Sequence, residues 1–132
     1  MPKHLHTEGE AFRYMENARE LLKNASIEDN LYLDRKPVRE AFGTAYLAVL
    51  EAINEVLLKK GVTVKQLPKS VEAYRAALQK YMAVNNGKLL REFDGLYMTL
   101  HIGGYYRGLF NDVNVVKESM KIADRFINKL LH

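Results

Sequence analysis

Between Ala41 and Gly61 small residues recur at helical spacing beside large apolar ones, and this pattern constrains the fold more than any other feature of the chain. Ala41, Ala45, Ala48 and Ala52 form a stripe that a neighbouring helix can approach closely, while Phe42, Val49, Ile53 and Val56 fill the adjoining stripe. A helix with both kinds of face belongs in the middle of a bundle. Its expected limits are Pro37, suited to a first helical position, and Lys60, with Gly61 suited to the left-handed residue beyond the end. At 1.5 Å per residue it spans roughly 35 Å, the long axis of a small bundle.

Four further helices are expected around it. Thr7, Glu8, Gly9 and Glu10 have capping-box spacing, so a first helix should start near Glu8 and run to about Ala25, with Ala11, Met15, Ala18, Leu22 and Ala25 along its seam. Residues 26–36 lack a helical period and read as a loop, with Leu31, Tyr32 and Leu33 tucked against the bundle. After a connector over 62–69 a shorter helix runs from Ser70 to Val84, with Val71, Tyr74, Leu78 and Tyr81 inward, and Asn85, Asn86 and Gly87 form a turn. The fourth helix carries Leu89, Phe93, Leu96 and Leu100 on one stripe and meets Gly103 and Gly104, where paired glycines should end or bend it. The last begins between Asn111 and Asn114 and places Val116, Met120, Ala123, Ile127 and Leu130 on one face. No stretch reads as a strand. The expected fold is all-α, a five-helix antiparallel bundle forming a single domain over residues 1–132.

Composition narrows the function classes. A chain of 132 residues, 48% apolar and 27% charged, can bury about two-thirds of its unfolded surface around one core without disulfides or metal. It contains no cysteine, which excludes a thiolate metal site and a cysteine nucleophile. The first ten residues lack the apolar centre of a signal peptide, and no uninterrupted apolar run approaches the ~20 residues of a membrane span, so a cytoplasmic protein without membrane contact is expected. The net charge of +4 comes from the second half of the chain, but there Arg91, Arg107, Lys117, Lys121, Arg125 and Lys129 alternate with acidic residues. That is the pattern of a solvated helix surface more than of a nucleic-acid stripe.

Five helices in this order resemble the HEPN superfamily, the higher eukaryotes and prokaryotes nucleotide-binding domains. The resemblance is carried by residues 11–22 of the first helix, 45–53 of the second and 116–127 of the last. It implies a HEPN-like fold and, since such bundles commonly pair, a homodimer. Active ribonucleases of that superfamily are associated with an arginine followed by a histidine after four to six residues. This chain departs from the pattern: Arg91 and His101 are separated by nine residues, and His101 with Arg107 stands in the reverse order. The resemblance therefore does not imply catalysis, and no catalytic residue, metal site or cofactor is expected.

One segment concentrates polar and aromatic groups at a helix end. His101, Tyr105, Tyr106 and Arg107, with Gly103 and Gly104 between them, combine a titratable ring, two stacking surfaces and a cation, and Tyr46 on the second helix could project into the same cleft. These five residues are the candidate ligand-binding site, fitting a nucleotide-like anion or a protein partner. The competing reading is a turn in which a tyrosine caps the core and Arg107 pairs with a helix end or Asp112. His4 and His6 supply only two metal ligands on a chain terminus, and Glu51 and Glu55, one turn apart, lack the Glu-x-x-His partners of a carboxylate-bridged metal bundle. The expected function is a non-catalytic, HEPN-like binding module. The alternatives are a divergent ribonuclease or toxin-antitoxin component, and a structural dimerisation protein.

Overall fold

The structure is a computed structural model in which residues 9–82 and 87–132 are described. Among these are five α-helices: α1 (Glu10–Lys23), α2 (Arg35–Lys59), α3 (Val71–Tyr81), α4 (Lys88–Leu96) and α5 (Val113–Leu131). A π-helical segment, Tyr97–Tyr106, continues α4, and a short 3-10 turn, Val64–Gln66, lies in the α2–α3 connector. The capping residue Thr7, the histidines His4 and His6, and the turn residues Asn85 and Asn86 lie outside the described residues.

α2 is the centre of the bundle, and α1, the π segment and α5 pack on it. Its alanine stripe is fully buried, as are Phe42, Val49 and Ile53. By length and composition α2 could cross a membrane, with a mean hydropathy of 1.4 over its most apolar window. That departs from the expectation drawn from uninterrupted runs, because alanines and dispersed leucines sustain the average. Here 61% of that stretch is buried, mostly against neighbouring helices. α2 also starts earlier than expected, at Arg35. Asp34 caps it by accepting from the Lys36 N–H at 3.0 Å, and Pro37 falls within the first turn, where a missing donor costs nothing. Gly61 takes the left-handed conformation (φ 96°) expected of it.

The loop expected over 26–36 contains two short strands. β1 (Ile27–Glu28) and β2 (Leu31–Tyr32) pair antiparallel around Asp29 and Asn30, both at positive φ, which is the geometry of a type I′ hairpin turn. The hairpin is pinned to the start of α5, the Tyr32 N–H donating to Asn111 O at 2.8 Å and the Val113 N–H to Asn30 O at 3.0 Å. Strands of two residues leave no alternation to read, so the sequence pattern is silent about them.

Two buried polar groups tie elements together. Tyr74 of α3 donates its hydroxyl to Asn54 Oδ1 of α2 at 2.9 Å, both residues buried. Glu55 is also buried rather than part of a solvated stripe. Its carboxylate accepts from the Gly9 N–H at 3.2 Å and from Lys59 Nζ at 3.3 Å, placing negative charge at the N-terminus of α1.

Candidate functional site

Gly103 and Gly104 do not end the fourth helix. The chain runs through them as a π-helix, closing with the i to i−5 bond from the Arg107 N–H to Ile102 O at 2.9 Å, and the reversal comes at Gly108 (φ 59°). The glycines serve close packing instead. A methyl group on Gly104 would lie 2.7 Å from Phe42 Cβ and nearer still to its ring, and one on Gly103 would lie 2.9 Å from Phe110 Cε2. The two phenyl rings meet at 5.5 Å. A ten-residue π-helix is unusual, since such geometry is mostly confined to single turns and recurs at functional sites.

Steps of four along this segment superimpose rings. Tyr97 stacks on His101 at 5.5 Å and His101 on Tyr105 at 5.9 Å, with interplanar angles of 24° and 22°. From α2, Tyr46 closes against both Tyr97 (5.9 Å) and His101 (4.9 Å). Tyr105 packs closely on α2 at Gly43, where an added methyl would stand 2.7 Å from Tyr105 Cδ1. Burial pushes the Tyr46 hydroxyl up to about 12, with Tyr97 and Tyr74 adding to the shift, so this phenol stays neutral across the physiological range.

His101 and Tyr105 form one wall of a groove of about 420 Å³, lined also by Leu21 of α1 and by Glu40, Gly43, Thr44, Tyr46 and Leu47 of α2. Of the five candidate residues, Tyr46, His101 and Tyr105 come together here. Tyr106 and Arg107 do not line the groove. Tyr106 is 68% exposed, and Arg107 is exposed at the helix end, its side chain making no hydrogen bond or ion pair among the described residues. Asp112, considered as its partner, caps α5 by accepting from the Val115 N–H at 3.0 Å.

The cation that holds this helix end is Arg39. Its Nε donates to Tyr105 O and its Nη2 to Tyr106 O, each at 2.8 Å, and its side chain crosses the space beside Gly108. Two carbonyls that the helix leaves unpaired are thereby satisfied by a charged donor. Sequence reasoning missed Arg39, Gly43, Leu47 and Tyr97. The four-residue spacing of Tyr97, His101 and Tyr105 was the one available signal, obscured by treating the glycines as a stop. Among the described residues no group of three or more His, Asp or Glu is placed to hold a metal ion.

The fold and groove define a small helical-bundle protein with an aromatic ladder on one face. The chain belongs to the family described as a domain of unknown function, DUF5618, whose model matches residues 6–132. It is similar to the solved structure of a protein of unknown function from Dyadobacter fermentans, with 31% identity over 92% of this chain and 89% of that one and a TM-score of 0.73. A search of curated proteins finds no match. Neither similarity bears on the HEPN resemblance.

Proposed function

We propose that this protein is a non-catalytic, HEPN-like binding module that docks a second copy of itself on the face carrying the Tyr46–His101–Tyr105 groove. The observation that carries this reading is the groove's chemistry. Leu47 and Tyr105 are 51% and 45% exposed at its edge, and the chain continues from Tyr105 into exposed Tyr106 and Leu109. Apolar rings with polar tips beside an exposed leucine are the composition of a protein contact. A closed pair is the commonest way for a small protein to cover such a face.

A nucleotide-like anion fits the groove less well. Its one charged lining residue is Glu40, while Arg107 stays outside and Arg39 is committed to backbone carbonyls. The same absence of a cation beside His101 weighs against the ribonuclease alternative. Sedimentation velocity at tens of micromolar tests the proposal. The native chain should run as a dimer and Leu47→Glu as a folded monomer, whereas a monomeric native chain overturns it.

A further inference from the structure

A second depression, of about 470 Å³, shares no lining residue with the aromatic groove and lies between α1, the β1–β2 hairpin and α5. Its floor is apolar, made by the buried side chains of Leu22, Tyr32 and Met120. Its rim is cationic. Lys23 stands in the last turn of α1, and Lys117 and Lys121 stand one turn apart on α5. The Arg19–Asp124 ion pair joins α1 to α5 at the same depression, so the single carboxylate present is already neutralised.

Two features set this depression apart from an ordinary helix surface. None of the three lysine ammonium groups makes an ion pair or hydrogen bond among the described residues, whereas Arg125 and Lys129 further along α5 pair with Glu118 and Glu92. Like charges at i and i+4 oppose helix stability, so folding gains nothing from setting Lys117 above Lys121. The second feature is Tyr32. Its ring is buried, yet its hydroxyl has no hydrogen-bond partner among the described residues, and no described side-chain polar atom is both enclosed and unsatisfied. The hydroxyl is therefore not fully enclosed, and burial of the side chain raises its pKa above the usual phenol value, so the phenol stays neutral beside the cationic rim.

We propose that this depression binds a small amphipathic anion, a monocarboxylate whose aliphatic body of medium length lies on Leu22, Tyr32 and Met120 and whose carboxylate sits among Lys23, Lys117 and Lys121. The apolar floor matches the body and the three unpaired ammonium groups match the head. A compact polyanion would satisfy the rim and leave the floor wet. This inference does not depend on the self-association reading.

The chain has no tryptophan, so the test uses an extrinsic dye. Anilinonaphthalene sulfonate, itself an amphipathic anion, should brighten at one saturable site and be displaced by decanoate. Decyltrimethylammonium, with the same tail and the opposite head, should not displace it. Lys117→Glu with Lys121→Glu should weaken dye and decanoate about tenfold or more while circular dichroism shows an unchanged cooperative melt. The charge-matched control Lys65→Glu with Lys69→Glu should bind like the native chain. Unchanged affinity in the Lys117/Lys121 variant, or equal displacement by the cationic amphiphile, overturns the proposal. Loss of the dye signal in Leu47→Glu instead would place the dye in the aromatic groove and also overturn it. Sedimentation with phosphatidylglycerol vesicles by a chain that decanoate leaves untouched would assign the lysines to a membrane surface, with the same consequence.

Discussion

Replacing Gly104 and Gly95 by alanine, one at a time, makes the same chemical change in one continuous helical run with opposite expected results. At Gly104 the new methyl would lie 2.7 Å from Phe42 Cβ, and ordinary contact begins at 3.4 Å, so the two backbones must separate by about 0.7 Å. No rotamer change can relieve this, because a Cβ is fixed by its own backbone. Phe42 is fully buried and packed against Phe110, which blocks retreat on the far side. Overpacking of this kind costs about 3 kcal/mol at the upper end of its range, and the gain from replacing glycine in a helix offsets about 1 kcal/mol, leaving a loss of about 2 kcal/mol. For a chain of this size that lowers Tm by roughly 6–10 °C. At Gly95, exposed on α4 with nothing within 4 Å of the added methyl, only the propensity gain remains, so Tm should rise by roughly 3–5 °C. Thermal melts followed by circular dichroism decide the matter. A Gly104→Ala chain as stable as the native one would refute the close approach of the π segment to α2, and a destabilised Gly95→Ala chain would refute the assignment of Gly95 to a regular, open helix face.

Two other perturbations follow from the buried polar groups. Tyr74→Phe deletes the hydroxyl donated to Asn54 and leaves a buried amide oxygen without its partner, which should cost about 1–3 kcal/mol in urea denaturation with an unchanged m-value. An unaltered midpoint would mean that Asn54 is satisfied another way. Tyr46, raised to about 12 when folded against 10.0 when unfolded, favours the native state fully below pH 10 and loses that contribution as pH rises toward 12. The native chain should therefore melt at progressively lower temperature across that window, and Tyr46→Phe should show a shallower decline. Parallel declines would remove the Tyr46 phenol from the buried set.

The parts of the fold visible in the sequence are those with long, one-sided periodicity. Ala11, Met15, Ala18 and Leu22 on α1, the alanine stripe on α2, and Val116, Met120, Ala123 and Ile127 on α5 are all buried, because a helix of three or more turns repeats its inward face often enough to be recognised. What escaped notice depends on partners distant in the chain. Gly103 and Gly104 are helix breakers by local propensity, but Phe42 and Phe110 occupy the space that a side chain would need, and packing overrides propensity. Arg39 carries no mark of its role, since the carbonyls that it caps lie 66 and 67 residues later. For the groove, His101 and Tyr105 share a helix and were legible as neighbours. The outward placement of Arg107 was not, because it follows from where the π segment stops.

The Arg39 clamp also decides how the aromatic groove can respond to an occupant. Arg39 belongs to α2, the helix that supplies Glu40, Gly43, Thr44, Tyr46 and Leu47 to the groove, and its two charge-assisted bonds end on the backbone of Tyr105 and Tyr106 in the facing wall. Both walls are thus fastened to each other at one end and interlocked through Gly43 and Gly104 along their length. Separating them would break ionic hydrogen bonds and unseat Phe42 together, which opposes any widening of the groove. An occupant then meets a surface that needs little ordering, and the entropy lost on association falls on the incoming partner rather than on this protein.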